Sequence, residues 1–155
     1  MMNRSVICTL LAALLMTAWL RADEPTLELN GRWIVTKLVI DGAELPVSTS
    51  PDSFWWEVDD DAWHYSFVLD GTRTKVTFTV TQTKNDTEIA VDAKLLNGGY
   101  AGRVCKGIYR IDGDVVRLCL ADSPSIPRPT RFECPAKSGL QLFELRRAKT
   151  TTPNP

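Results

Sequence analysis

The sequence predicts an all-β protein, a single antiparallel meander barrel of about eight to nine strands. Two observations carry this prediction. Short runs rich in β-branched and aromatic residues follow one another, and turn dipeptides such as Asp41-Gly42 and Asp70-Gly71 separate them, because Asp and Gly tolerate the positive φ of tight hairpins. Within the runs, apolar and polar residues alternate, as from Trp63 to Leu69, which gives each strand one apolar face. Closing into a barrel buries such faces without leaving edges.

The first four strands are predicted at residues 32–40, 53–58, 62–69 and 72–81. The first strand ends at Asp41-Gly42. A charged run, Asp59-Asp60-Asp61, forms the hairpin turn between the second and third strands, and Asp70-Gly71 joins the third to the fourth. In the fourth strand Val76, Phe78 and Val80 share one face, while threonines occupy the other. These two adjacent strands should therefore pair with their aromatic sides inward.

The remaining strands are predicted at residues 87–95, 103–111, 114–121, 129–134 and 139–147. Asn97-Gly98 and Asp112-Gly113 mark the turns between the first three of these strands. Prolines around Arg128 lack a backbone donor and favour an extended chain, so residues 129–134 are predicted as an edge strand.

The N-terminus has the layout of a secretory signal peptide. A short basic start at Asn3-Arg4 precedes an apolar run over residues 6–20, and the small residue Ala22 precedes a polar stretch. The run is short for a membrane span, which needs about 20 residues, so an uncleaved anchor is the weaker alternative. We therefore expect a signal peptide at residues 1–22, one barrel domain at 23–149 and a disordered tail at 150–155. The expected localisation is extracytoplasmic, with no stable membrane span after cleavage.

The charge is uneven along the chain. Residues 23–102 carry six basic and fourteen acidic side chains, whereas residues 103–155 carry ten basic and five acidic ones. Such asymmetry can mark a nucleic-acid-binding tail. Here the basic residues are spread through strand-like segments, so pairing of oppositely charged halves in one sheet explains the pattern more simply. We expect no nucleic-acid partner.

The segment "LELNGRWIVTKLVIDG" at residues 27–42 contains a Gly-x-Trp motif, Gly31-Arg32-Trp33, at the start of the first strand. This motif resembles the signature of lipocalins. The resemblance implies that Trp33 closes one end of the barrel and that an arginine of the last strand, Arg146 or Arg147, lies over its ring. Gly31 would let the chain pass close to that ring.

A narrower resemblance covers nearly the whole predicted domain. The segments "GRWIVTKLVIDGAELP", "KGIYRIDGDVVRLCLA" and "RPTRFECPAKSGLQLFELRR" resemble an uncharacterised lipocalin-like domain family abundant in planctomycetes. Its pattern is G-x-W, then G-x-Y-x-x-DGD, a cysteine and RPT-x-F. Val116 replaces the family's usual Leu, and Cys105 and Cys134 depart from the pattern. The resemblance implies a lipocalin-like barrel and an extracytoplasmic setting. It supplies no reaction, ligand or catalytic residue.

No catalytic constellation can be assembled from the sequence. His64 is the only histidine, and alternation places it on the polar face of its strand, where a solvated histidine is the simpler interpretation. No G-x-S-x-G elbow supplies a nucleophile. The Asp59-Asp60-Asp61 run lacks the spacing and the terminal Glu of a calcium loop. We predict no enzyme activity, no metal and no cofactor.

Three cysteines remain after the signal peptide: Cys105, Cys119 and Cys134. They lack the C-x-x-C spacing of a zinc site. In the predicted meander they fall on neighbouring strands, so they are expected in one row, with a possible disulfide from Cys119 to either Cys105 or Cys134. The alternative is that all three cysteines are reduced and buried.

The sequence favours a binding module that holds a small apolar ligand inside the barrel. The alternative is a solid barrel that binds or inhibits another protein through its loops, with an exposed apolar patch around Trp55 and Trp56. Eight-stranded barrels lie at the size where the interior either fills with side chains or holds one small ligand. The ligand-binding residues themselves are not predicted.

Overall fold

The fold was determined as a computed structural model that describes residues 29–48, 50–84 and 88–149. The predicted signal peptide at 1–22 and the predicted tail at 150–155 lie outside the described residues. Within them the chain forms nine β-strands and no α-helix. The strands are β1 (Gly31–Ile40), β2 (Ala43–Leu45), β3 (Phe54–Asp59), β4 (Ala62–Leu69), β5 (Thr72–Lys84), β6 (Ile89–Leu95), β7 (Val104–Asp112), β8 (Val115–Ala121) and β9 (Leu140–Arg147).

The sheet closes on itself. The strand order is β2-β1-β3-β4-β5-β6-β7-β8-β9, and β9 also pairs with β1. Every pairing is antiparallel, and the closing pair runs from Trp33 opposite Arg147 to Ile40 opposite Gln141. Eight strands therefore form a closed up-and-down barrel, and the short β2 adds to the free half of the β1 edge. This confirms the predicted fold class.

One predicted strand is wrong and one strand was missed. Residues 129–134 contain no strand, because β8 pairs directly with β9, from Ala121 opposite Leu140. The connecting segment, residues 122–139, instead packs on the outer face of the barrel. It is rich in proline, and proline cannot donate to a strand ladder. The missed strand is β2, whose three residues, all exposed, carry too short a pattern for recognition.

Alternate residues of each strand point inward. The inward set forms one core cluster that includes Trp33, Trp56, Phe78, Tyr109 and Phe143. The barrel has two different ends. The closed end lies at the start of β1, where Trp33 sits. The open end lies where β4, β6 and β8 finish, and antiparallel pairing places the starts of β5, β7 and β9 at the same end.

Candidate functional site

Trp33 seals the closed end. Its side chain is fully buried, and its indole Nε1–H donates a hydrogen bond of 2.7 Å to the Leu29 carbonyl. Of the two arginines at the end of β9, it is Arg147 that lies over the ring, 4.2 Å from the centroid. Arg147 also donates to the Asn30 carbonyl at 3.2 Å. The plug is therefore held by a hydrogen bond in its plane and a cation on its face.

The other two residues predicted for the plug play smaller parts. Gly31 has φ of 120°, a conformation that disfavours other residues, and a Cβ built on it would lie 3.5 Å from Arg147. Arg146 is exposed, and its Cα partners are Ile34 and Val115. Strand alternation explains the difference, because neighbours on one strand point to opposite faces.

Aromatic rings fill the interior above the plug. Trp56 stacks on Phe78 with centroids 5.8 Å apart and meets Trp63 edge-on at 6.3 Å. Tyr65 and Phe143 complete the layer, at 4.9 and 5.4 Å from Trp56. The Nε1–H of Trp56 is buried and has no acceptor among the described residues. An unpaired buried donor of this kind costs about 1–3 kcal/mol.

The open end holds a cavity of about 450 Å³. This volume falls in the range of small-molecule sites, roughly 300–1,000 Å³. Tyr65 and Phe78 form its floor, directly above Trp56, and Leu95 and Leu120 line its wall. The deep part of the cavity is therefore apolar and aromatic.

Polar groups gather at the mouth of the cavity. Arg103, Asp122 and Gln141 line it, together with Tyr100 and the thiol of Cys105. Arg103 lies over the Tyr100 ring at 4.5 Å. Burial raises the pKa of the Cys105 thiol, the Asp122 carboxylate raises it further, and the Arg103 guanidinium lowers it. Because both Asp122 and Arg103 affect the Cys105 thiol, an acidic and a basic group lie near the same opening.

Tyr65 stands between the apolar floor and this polar mouth. Burial raises the pKa of its phenol, and Cys105 adds to the rise. The phenol therefore stays protonated at neutral pH and can donate a hydrogen bond to a bound molecule. The site therefore has an apolar floor and, around its mouth, several hydrogen-bond donors and one carboxylate.

The proline-rich segment 122–139 is fixed to the outer face by Arg128. Its guanidinium donates to the carbonyls of Val91 and Gly107, at 2.6 and 2.7 Å, and to the Asp92 carboxylate at 2.7 Å. Its side chain therefore ties the segment to β6 and β7 and is not available to an external anion. A second, more open depression of about 300 Å³ lies on the surface of this segment.

The three cysteines do not lie in one row, so that expectation is wrong. Cys105 pairs with Ala93 of the core and lines the cavity. Cys119 points to the outer face, where its thiol approaches the Glu133 carbonyl at 3.6 Å. Burial raises the pKa of the Cys119 thiol, and Cys134, which lies beside it, raises it further. The difference has two causes: residues 129–134 form no strand, and Cys105 and Cys119, although on the paired strands β7 and β8, point to opposite faces of the barrel. All three thiols are free in the structure, and the disulfide of Cys119 stays a prediction.

His64 lies on the outer face, as alternation predicts. Its Nε2 is 2.9 Å from the Glu57 carboxylate, and its ring meets Trp55 edge-on at 5.4 Å. Arg32 covers Trp55 at 4.5 Å. Trp56 is buried in the core, so the exposed apolar patch considered around Trp55 and Trp56 is absent from the described surface.

Within residues 29–48, 50–84 and 88–149, no group of three or more His, Cys, Asp or Glu side chains is placed to hold a metal ion. Over the same residues, no helix is long and apolar enough to cross a bilayer.

The sequence did not single out the residues at the mouth of the cavity. Arg103 and Asp122 lie at strand ends, where alternation gives no direction, and Tyr100 belongs to a glycine-rich connection with no period. Strand alternation predicted only that Tyr65 and Phe78 point into the barrel.

Comparison with known proteins gives distant structural neighbours. A lipocalin-like protein from Bacteroides uniformis is 16% identical, covers 77% of this chain and 98% of its own, and has a TM-score of 0.45. An uncharacterized protein from Bacteroides eggerthii is 12% identical, covers 78% and 100%, and has a TM-score of 0.44. No protein-family model and no curated protein matches the chain. The fold assignment accordingly stands on the strand pairing described above.

Proposed function

We propose that this chain is an exported, non-catalytic binding module that holds one small, largely apolar molecule in the cavity at the open end of the barrel. The observation that carries the proposal is the cavity itself, about 450 Å³ in a barrel whose other end is closed by Trp33. A solid barrel of this size would have no such space.

The lining indicates the shape of the ligand. Its apolar body rests on Tyr65, Phe78 and Leu120, and its polar end faces Arg103 at the mouth. A guanidinium binds a carboxylate or phosphate group more strongly than a neutral acceptor. A small molecule with an apolar body and one acidic or strongly accepting group fits this arrangement better than a pure hydrocarbon.

Titration of the protein with fatty acids and with a hydrophobic dye tests this proposal. Tryptophan emission reports binding, because Trp56 packs against both floor residues, Tyr65 and Phe78. We expect saturable binding that Cys105→Phe weakens at least tenfold, because the larger ring would occupy part of the cavity that Cys105 lines. Overpacking can also destabilise a barrel, by about 1–3 kcal/mol, so the denaturant midpoint of the variant is measured in parallel.

A charge variant with a matched control separates the mouth from the general surface. Arg103→Gln should weaken binding of a fatty acid more than binding of its neutral alcohol. Lys106→Gln removes an equal charge from an exposed position near the start of β7, the strand that directly follows Arg103, and should leave both affinities unchanged. Absence of saturable binding to the native protein would refute the binding proposal and favour a barrel that acts through its loops.

Export is tested separately. N-terminal sequencing of the protein from its own cell should find a start at or near Asp23, the residue after the small Ala22. An intact Met1 on cytosolic protein would refute it.

A further inference from the structure

Four of the five large apolar side chains that are exposed among the described residues lie at one end of the barrel, and the fifth, Leu45, lies on β2. Val68 and Leu69 lie at the open end, as the last residues of β4, and Leu96 and Tyr100 lie there on the β6–β7 connection. Leu69 and Tyr100 are each 61% exposed and Leu96 is 51% exposed. Isolated apolar residues on a surface need no explanation, whereas a group around one opening does.

Hydrogen bonds hold the two turns next to each other. The Asn97 side chain donates to the Lys75 carbonyl and accepts from the Thr77 amide, both at 2.9 Å. Leu96 also donates to the Thr77 carbonyl at 2.9 Å. The β6–β7 connection is therefore fixed beside β5, and the Leu69 turn lies only a few residues farther along the same hairpin, about 10 Å at strand spacing.

Basic side chains accompany these apolar residues. Between Asp92 and Asp112 the chain carries four basic and no acidic residues. Three exposed cations, Lys75, Lys94 and Arg103, lie close to the open end. Two carboxylates lie beside them, Asp70 on the β4–β5 turn and Asp122 at the mouth of the cavity. We call Leu69, Leu96, Tyr100, Lys75, Lys94 and Arg103 the rim patch.

We propose that the rim patch docks the open end of the barrel on an anionic lipid bilayer. The apolar side chains stand on separate turns instead of forming one continuous face, so they can enter the interface singly while the cations meet lipid headgroups. Tyrosine is suited to the headgroup level because its ring is apolar and its hydroxyl is polar, and Arg103 stacked on Tyr100 brings a positive charge to the same depth. Each Lys or Arg near an anionic surface strengthens binding by about 1 kcal/mol, or roughly fivefold.

Docking of the rim patch on a bilayer does not itself require the proposed function. Only its consequence for ligand transfer rests on that function. Docking would place the mouth of the cavity against the bilayer, so an apolar ligand could pass between lipid and barrel without crossing water. Leu69 and Lys75 do not line the cavity, so variants at these positions separate failure of docking from failure of ligand binding.

Co-sedimentation of the full chain with vesicles of phosphatidylglycerol and phosphatidylcholine tests the proposal. Leu69→Ser and Lys75→Gln should each weaken partitioning about fivefold. The matched controls are Leu45→Ser, another exposed leucine but on β2, and Lys84→Gln, an exposed cation at the closed end. Both controls should stay within twofold of the native protein. Equal losses for patch and control variants would overturn the proposal.

Where the apolar run at residues 6–20 is retained, it would itself favour partitioning into lipid, so a local readout is needed. Hydrogen exchange by mass spectrometry supplies it. On addition of anionic vesicles, peptides covering residues 68–72 and 96–101 should gain protection, whereas the turn at 59–62 of the closed end should not. Protection at both ends alike, or at neither, would overturn the proposal. Protection of the rim without vesicles, rising with protein concentration, would show instead that a second copy of the chain covers it.

Discussion

The plug at the closed end can be tested by removing Trp33 and Arg147 separately and together. Trp33 is fully buried, and a side chain of its size removes about 150–250 Å² from water. At about 25 cal/mol per Å² this corresponds to about 4–6 kcal/mol, and buried Trp→Ala substitutions typically cost about 3–5 kcal/mol. We therefore expect Trp33→Ala to lower the free energy of unfolding by about 4 kcal/mol.

The arginine on the ring should contribute less. A cation over an indole is worth about 0.5–1 kcal/mol where it remains partly exposed, and Arg147 is half-buried with its guanidinium 4.2 Å from the ring centroid. Arg147→Gln should cost about 1 kcal/mol. Arg146→Gln is the matched control, because this neighbouring side chain is exposed on the opposite face, and it should cost less than about 0.5 kcal/mol.

Urea unfolding measures all of these values. With a slope of about 2 kcal/mol per molar urea, the Trp33 variant should shift the midpoint by about 2 M and the Arg147 variant by about 0.5 M. The double-mutant cycle should give a coupling energy of about 0.5–1 kcal/mol between Trp33 and Arg147. A coupling near zero, or an Arg146 variant as damaging as the Arg147 variant, would refute the plug.

Three further predictions concern the outer segment and its thiols. Arg128→Met leaves two strand carbonyls and a carboxylate without their donor. Because the ion pair with Asp92 is partly exposed, this substitution should cost about 1–3 kcal/mol in urea unfolding. Arg131→Met, at an exposed position without an ion pair among the described residues, should cost under about 0.5 kcal/mol. Burial and, second, Cys134 raise the pKa of Cys119 from its ordinary 9.0 to about 12. Because the folded state keeps a proton that the unfolded state loses, the contribution of Cys119 to folding stability is complete below pH 9 and declines toward pH 12, by up to about 1.4 kcal/mol per pH unit. Thermal melts of Cys119→Ala should therefore lose less stability over this pH range than those of the native protein. Oxidation followed by peptide mapping should find Cys119 linked to Cys134, and exclusive recovery of the free thiols would contradict the pairing.

The strands were predictable because their signals are local. Asp-Gly dipeptides fixed the hairpins, and inward alternation of Trp63, Tyr65 and Phe78 fixed the orientation of β4 and β5. The Gly-x-Trp motif led to the plug, although alternation alone did not say which of two adjacent arginines would reach the ring.

The cavity and the outer segment were not predictable in the same way. The position of residues 122–139 depends on Arg128, which reaches carbonyls 21 and 37 residues away in the sequence. No periodicity encodes such contacts. The mislocation of Cys134 followed from the same error, since a strand at 129–134 would have put all three cysteines on adjacent strands. Whether rings fill a barrel or leave a space depends on packing in three dimensions, which composition does not determine.

The central claim is that the cavity at the open end is occupied by a small molecule in the cell. Native mass spectrometry of the protein purified from its own host tests this most directly. The account predicts a mass in excess of the chain, released on denaturation and lost from Cys105→Phe, whose ring would occupy part of the cavity, but retained by Lys106→Gln. A native protein that carries no additional mass, and that binds neither fatty acid nor dye saturably, would contradict it.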